Sequence, residues 1–124
     1  MKPKPPLEKE VQRRVVALYK SAGCFVYVLS QGYRHERGGT RQTKGLPDLY
    51  VFPPGCSLAL PWWHEVKRPG GKPSPEQVEF NARCEARGVY CLIGGYRQAL
   101  EHLLFLDLWK LPPGVLLDDV APDA

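Results

Sequence analysis

Apolar residues recur every three or four positions near the start of the chain. Leu7, Val11, Val15 and Leu18 follow this spacing, which places them on one face of an α-helix. Glycine is the common residue just past a helix end, and Gly23 is the first glycine in the chain. The pattern therefore predicts a first helix from residue 7 to residue 23.

Four short segments rich in aromatic and β-branched residues predict strands at residues 24–29, 48–52, 62–67 and 89–93. Proline is tolerated only at the start or edge of a strand, so Pro47 indicates that the second strand begins at Asp48. The stretch from residue 30 to residue 44 is punctuated by glycines and carries no core signal, which predicts a loop.

Two more helices follow from local signals. Ser74 is a helix N-cap candidate, Pro75 suits the first helical position, and Gly88 ends a second helix at about residue 87. An amphipathic stretch after Gly94 and Gly95 predicts a last helix that ends near residue 108. The order helix, three strands, helix, strand, helix predicts an α/β fold in which helices flank a mixed central sheet of about four strands.

The size and composition fit one folded unit. The chain has 124 residues, 44% of them hydrophobic and 24% charged, so residues 1–124 are expected to form a single domain. Residues 1–6 predict a flexible basic arm, and residues 110–124 an irregular tail of prolines and acids. No stretch has the length of a membrane span or the pattern of a signal peptide, so a cytoplasmic protein is expected. The four cysteines form no Cys-X-X-Cys pair, which favours free thiols.

Positive charge is concentrated in the first third of the chain. The net charge is +4, but residues 1–44 carry ten lysines and arginines against three acids. Such a cluster favours contacts with nucleic-acid phosphates, although each basic residue alone fits a solvated surface equally well. The candidate DNA contacts, including two that follow the third strand, are Arg13, Arg14, Arg34, Arg37, Arg41, Lys44, Arg68 and Lys72.

Two carboxylates and a lysine form the main candidate for chemistry. Residues two apart in a strand share a face, so Glu65 and Lys67 point the same way. If the second and third strands pair as antiparallel neighbours, Asp48 lies beside Glu65. Their oxygens, together with the backbone carbonyl of Val66, suit Mg²⁺ or Mn²⁺. The alternative is that Asp48 caps a turn and that Glu65 and Lys67 belong to a solvated strand face.

Several motifs occur here in one order: Gly45-Leu46-Pro47-Asp48, then Glu65-Val66-Lys67 followed by a glycine-containing turn, then Ser74-Pro75-Glu76-Gln77 at a helix entry. In this order they resemble the VRR-NUC branch of the PD-(D/E)XK nuclease superfamily. The resemblance implies a restriction-endonuclease-like core and a nuclease that depends on Mg²⁺ or Mn²⁺. It also implies that Asp48 and Glu65 bind the metal and that Lys67 is the catalytic lysine.

The resemblance places a further glutamate on the first helix. Glu8 lies beside the apolar face of that helix and Glu10 further toward solvent, so Glu8 is the preferred candidate and Glu10 the alternative. Gln77 corresponds to the glutamine at the helix entry and is expected to support the site. A capping-box partnership with Ser74 explains Gln77 equally well.

Small stand-alone members of this branch resemble the nuclease module of the Fanconi-associated nuclease, and the phage forms are associated with homodimers that cut branched DNA. The expectation is therefore a structure-selective DNA endonuclease that acts as a homodimer, for example on four-way junctions. Residues 96–109 are the candidate dimer interface, although packing on the sheet explains their apolar character as well. The alternatives are an inactive module that binds nucleic acid or assembles with other molecules, and a nuclease of the same fold that cuts RNA or linear DNA ends.

Overall fold

Helices pack against both faces of a four-stranded sheet. The computed structural model describes residues 6–29 and 45–122. Within them the elements, in chain order, are α1 Glu8–Ser21, β1 Phe25–Val28, β2 Leu49–Phe52, β3 Trp62–Val66, α2 Pro75–Ala86, β4 Cys91–Gly94, α3 Tyr96–Phe105 and α4 Leu117–Val120.

The strands lie in sequence order across the sheet, β1-β2-β3-β4. β1 pairs with β2 and β2 with β3 in antiparallel fashion, whereas β3 and β4 are parallel because the chain crosses back through α2 between them. The predicted α/β fold with a mixed four-stranded sheet is thus confirmed.

The hydrophobic core lies between the sheet and the pair α1 and α3. Val15 and Leu103 come from the two helices and pack with Trp62 and Val66 of β3, all fully buried. Helix α2 lies on the opposite face, where Phe80 makes an edge contact with the ring of Trp63. β3 therefore has helices on both sides, which is why four of its five residues are buried.

Three predicted boundaries differ from the structure by two or three residues, each for a local reason. α1 ends at Ser21, two residues before Gly23, which takes a φ of 84° as the chain leaves the helix. β4 begins at Cys91 and not at residue 89, because the Val89 amide donates to a carbonyl of the last turn of α2. α3 ends at Phe105 and not near residue 108, since Asp107 takes a φ of 60° that no helix can continue.

The C-terminal region is tied to α3. The Arg97 guanidinium donates to the Asp118 carboxylate and, over 2.7 Å, to the carbonyl oxygen of Ala121. Ala121 is itself buried, so α4 docks on the domain. The predicted irregular tail therefore contains one short helix that its composition did not indicate.

Most of the candidate dimer interface at residues 96–109 is used inside the domain. Ala99, Leu100 and Leu103 are buried in the core, and the other large apolar residues pack against it except Phe105, which is 81% exposed. Packing on the domain's own core thus accounts for the apolar character of this segment. In the parts of the chain that the structure describes, no helix is long and apolar enough to cross a membrane.

A buried polar network fixes the position of β3. The Nε2 of His64 lies 2.9 Å from the carbonyl oxygen of Gly94, so Nε2 carries the ring proton. Nδ1 is then the acceptor for the Tyr19 hydroxyl at 2.6 Å, and the Tyr19 oxygen accepts from Trp62 Nε1 at 3.3 Å. These bonds connect α1, β3 and β4, and every polar side-chain atom in the network has a partner.

Burial lowers the pKa of His64 to about 4. The folded chain thus holds a neutral imidazole, while the unfolded chain protonates His64 below its ordinary pKa of about 6.5. Stability linked to His64 is fully present above pH ~6.5 and is lost as the pH falls toward 4, by about 1.4 kcal/mol per pH unit.

We expect the free-energy advantage of the wild type over His64→Gln to shrink by about 1 kcal/mol between pH ~6 and ~5, because the variant has no imidazole to protonate. Urea denaturation of both proteins at several pH values, without divalent metal, measures the difference. Parallel pH profiles for the two proteins would show that His64 is not held neutral.

Candidate active site

The end of β3 places two charged side chains on the face of the sheet that α2 covers. Alternation along the strand turns Trp63 and Glu65 toward α2, and His64 and Val66 toward the core. Lys67, one residue past the strand, continues the series because its backbone amide still donates to Gly94 of β4. Glu65 and Lys67 therefore point to the same side, as predicted.

Asp48 lies directly beside this pair. Leu49 is paired with His64, so the same antiparallel register sets Asp48 opposite Glu65. The Oδ2 atom of Asp48 accepts a hydrogen bond of 2.9 Å from the backbone amide of Val66. This bond holds the Asp48 carboxylate at the end of β3, where no backbone carbonyl of β2 takes up that amide.

The Glu65 side chain is almost fully buried, with 3% of the residue exposed. Its Oε2 atom accepts from Gln77 Nε2 at 2.7 Å and lies 3.4 Å from the Lys67 ammonium. Its Oε1 atom is buried and has no hydrogen-bond partner. One oxygen of this carboxylate thus has two partners and the other has none.

The surroundings of Glu65 disfavour its charge. Burial raises the pKa of this carboxyl well above its usual range, and the neighbouring Asp48 carboxylate raises it further. The Lys67 ammonium lowers the pKa, but it offsets only part of the effect. A further positive charge near Oε1 would therefore stabilise the ionised form.

Gln77 has both of the roles that the sequence left open. Its backbone amide donates to the Ser74 hydroxyl, and its Oε1 accepts from the Ser74 amide at 2.8 Å, which completes a capping box at the start of α2. A backbone amide can only donate, so Nε2 must be the end of the side chain that faces Glu65. The cap thereby orients the donor toward the carboxylate.

Lys67 also reaches the first helix. Its side chain is only 13% exposed, and its Nζ lies 3.9 Å from Oε1 of Glu8, whose side chain is 47% exposed. Glu10, the alternative candidate, is exposed in the first turn of α1. The structure therefore brings Glu8, through Lys67, to the edge of the pocket that holds Asp48 and Glu65.

The backbone at position 45, just before Pro47 and Asp48, requires a glycine. It takes a φ of 84°, and a Cβ atom at this position would lie 2.4 Å from the backbone oxygen of Glu76 in the first turn of α2. The segment that carries Asp48 therefore runs directly against the helix that carries Gln77.

The predicted basic contacts divide into two groups. Arg13, Arg14, Arg68 and Lys72 are exposed, and the Arg14 guanidinium lies 4.8 Å from the centre of the Tyr96 ring. Arg68 follows Lys67 directly and shares a small cavity with it beside the glycine turn. The other predicted contacts, Arg34, Arg37, Arg41 and Lys44, lie outside the described residues.

The carboxylate oxygens at this site are of the kind that binds a divalent metal, but they are few. No group of three or more His, Cys, Asp or Glu side chains that could hold a metal occurs within residues 6–29 and 45–122. Two carboxylates, Asp48 and Glu65, meet here, and the buried Oε1 of Glu65 lacks a partner. Hard oxygen ligands of this kind fit Mg²⁺ or Mn²⁺, which keep several waters as ligands.

No protein-family model matches the chain, and no curated protein matches it. A solved structure described as a VRR_NUC domain is similar in fold, with a TM-score of 0.57 and 26% sequence identity. The match covers 79% of this chain and 94% of that structure. The findings support a VRR-NUC domain in this chain. The order of motifs first indicated this resemblance, and the match supports a nuclease domain in general.

Two features of the domain were not visible in the sequence. The Tyr19 and His64 hydrogen bond, which positions β3, joins residues 45 positions apart, and a lone histidine in a strand gives no sign of its partner. The bond from the Val66 amide to Asp48 involves a backbone donor and has no sequence signal. The hint that the sequence offered was the position of His64 between Trp63 and Glu65, in a strand that is otherwise apolar.

We expect Gly45→Ala to destabilise the domain by about 2 kcal/mol or more, because alanine meets both the unfavourable φ and the Glu76 carbonyl. Gly70→Ala is the matched control. Gly70 has a similar φ of 79°, but nothing lies within 4 Å of its Cβ position, so only about 1 kcal/mol is expected. Chemical denaturation of both variants measures the difference, and equal losses would show that Gly45 is needed for its φ alone.

Proposed function

We propose that this domain is a metal-dependent, structure-selective DNA endonuclease that hydrolyses phosphodiester bonds. The observation that carries the proposal is the Glu65 carboxylate, buried beside Asp48 with one unpartnered oxygen and with Lys67 3.4 Å from the other. Burial of a carboxylate without full pairing is costly and is typical of metal and catalytic sites. PD-(D/E)XK-like nucleases in general use divalent metals.

In this proposal Asp48, Glu65 and the backbone carbonyl of Val66 hold Mg²⁺ or Mn²⁺, with Glu8 as a further candidate ligand. A bound divalent cation lowers the pKa of a coordinated water and neutralises charge on a phosphate. Because Gln77 and Lys67 both contact Oε2 of Glu65, Oε1 is the oxygen left to face a cation. The charge of the cation would favour the ionised form of Glu65, which burial otherwise disfavours.

Lys67 is proposed as the catalytic cation. Its ammonium is held between Glu65 at 3.4 Å and Glu8 at 3.9 Å, so its position is constrained from both β3 and α1. From there it would orient the attacking water or stabilise the negative charge that develops on the phosphate oxygens. Gln77 would keep Glu65 in the correct rotamer without contacting substrate.

The substrate is proposed to be DNA, contacted through phosphates by exposed arginines and lysines on α1 and in the turn after β3. Such contacts position a duplex without reading its sequence and weaken with salt. Selectivity for branched DNA, such as a four-way junction, and action as a homodimer follow from the family resemblance, and both are part of the proposal. Two active sites in a dimer would cut both strands of a junction.

The proposal predicts that Asp48→Asn and Lys67→Met each lower the cleavage rate at least about 100-fold, because each removes a group that acts on charge in the transition state. DNA affinity, measured without metal, should change less than about threefold. The assay incubates each protein with Mg²⁺ or Mn²⁺ on four-way, flap, nicked and linear DNA, and on RNA. Glu79→Gln is the control, since Glu79 forms an exposed ion pair with Arg83.

The outcomes separate the possible functions. Robust cleavage by either site variant would rule out the catalytic role assigned to the altered residue. Binding of DNA without cleavage by the wild type would favour a module that only binds nucleic acid. Preference for RNA or for linear ends would keep the fold and the metal chemistry but replace the substrate.

Glu8 and Glu10 give a finer test of the first-helix contribution. We expect Glu8→Gln to reduce cleavage about tenfold or more, since Glu8 is the one of the two that lies near Lys67. Glu10→Gln, which removes the same charge two residues further along α1 on the side toward solvent, should stay within about twofold of the wild type. Equal effects of the two variants on cleavage rate would mean that α1 contributes only its overall charge.

A further inference from the structure

Five aromatic rings lie side by side on one face of the sheet. They come from β1, β2 and β3 and are called here the aromatic face: Phe25, Tyr27, Tyr50, Phe52 and Trp63. The ring centres of successive neighbours are 5.0 Å apart for Phe25 and Tyr27, 5.4 Å for Tyr27 and Phe52, 5.2 Å for Phe52 and Tyr50, and 4.3 Å for Tyr50 and Trp63.

The aromatic face is the same face of the sheet that carries the candidate active site. Tyr50 lies two residues after Asp48, and Trp63 lies two residues before Glu65. Strand alternation therefore puts each ring on the same face as the neighbouring carboxylate. Tyr50 and Trp63 are also register partners. At about 3.4 Å per residue, the first aromatic row lies roughly 7 Å along the strands from the two carboxylates.

Exposure of the rings increases away from α2. Trp63, which contacts Phe80 of that helix, is partly buried, whereas Phe52 is 38%, Tyr27 49% and Phe25 61% exposed. In the described part of the chain, these three rings lie on the edge strand β1 and on its neighbour β2, beyond the cover of α2. Aromatic rings that stay exposed to water on a sheet surface forgo the free energy of burial. They gain it only when another molecule covers them.

Flat aromatic side chains on an open face suit flat ligands. Nucleobases stack on such rings whatever their sequence, whereas the bases of an intact duplex are already stacked on each other and are not available. None of the five rings is charged, so the aromatic face itself offers stacking surface, and the nearest acidic side chains on this side of the sheet are those of the candidate site, Asp48 and Glu65. Its continuity with Asp48 and Glu65 favours the strand that enters the active site over an unrelated partner.

We propose that Phe25, Tyr27 and Phe52 form a stacking site for unpaired nucleobases of the strand that is being cut. This inference rests on the proposed nuclease function, since it adds a binding site for single-stranded nucleic acid next to the scissile position. Unpaired nucleotides leaving the carboxylate pocket along β2 reach the exposed rings after a short distance. A substrate with an unpaired arm would therefore bind more tightly than a duplex without one.

The test compares two double variants of the most exposed rings. Phe25→Leu with Tyr27→Leu removes both rings and keeps an apolar surface. Phe25→Tyr with Tyr27→Phe keeps both rings and is the matched control. Fluorescence anisotropy with a labelled oligothymidylate of about twelve nucleotides, and with a duplex of the same length, measures affinity in EDTA at one salt concentration.

We expect the leucine variant to lose about tenfold in affinity for the oligothymidylate and less than about twofold for the duplex, while the ring-retaining variant behaves as the wild type. Phe25→Leu alone, with about half that loss on a logarithmic scale, covers the case in which the double variant fails to fold. Unchanged oligothymidylate affinity, or equal losses for both nucleic acids, would overturn the proposal.

The alternative occupant of the aromatic face is a second copy of the chain. Sedimentation of the same proteins measures whether the chain associates with itself through this face. Loss of self-association in the leucine variant with unchanged oligothymidylate affinity would overturn the stacking site in favour of a contact between copies. Because the binding assay contains no divalent metal, failure of the nuclease function shows itself separately, as absent cleavage in Mg²⁺ or Mn²⁺ with ring-dependent binding retained.

Discussion

The burial of the Glu65 carboxylate is the constraint on which the arrangement of this domain depends. A carboxyl group that is 3% exposed needs polar partners, and these come from different parts of the chain: Gln77 from α2 and Lys67 from the end of β3. Asp48 of the segment before β2 lies beside it and opposes its ionisation. Each of these elements has to be in place before the pocket exists. Among these side chains, Oε1 of Glu65 is the buried polar atom that has no hydrogen-bond partner.

The opposite face of the same strand explains how the pocket is kept in position. His64 points into the core, where Tyr19 and the carbonyl of Gly94 satisfy both ring nitrogens. Because alternation couples the two faces, a shift of β3 by one residue would move His64 out of this network and Glu65 into the hydrophobic core. The polar network on one face thus stabilises the register that the carboxylate needs on the other.

The elements with strong local signals could be predicted from the sequence. Periodic apolar residues gave α1, and Ser74 with Pro75 gave the start of α2 at the residue observed. Strand alternation placed Glu65 and Lys67 on one side. The end of α3 at Asp107, the docking of α4 by Arg97 and the bond from the Val66 amide to Asp48 could not be predicted, because each depends on a backbone conformation or on a contact between distant residues. The double role of Gln77 likewise required the position of Glu65.

A crystal structure with Mn²⁺, phased so that anomalous scattering locates the metal, tests the central claim most directly. We expect an anomalous peak in contact with the Asp48 carboxylate and with Oε1 of Glu65, while Oε2 keeps its hydrogen bond from Gln77 and its ion pair with Lys67. A Mn²⁺ ion bound elsewhere, or no metal at the pocket while Glu65 stays buried, would contradict it.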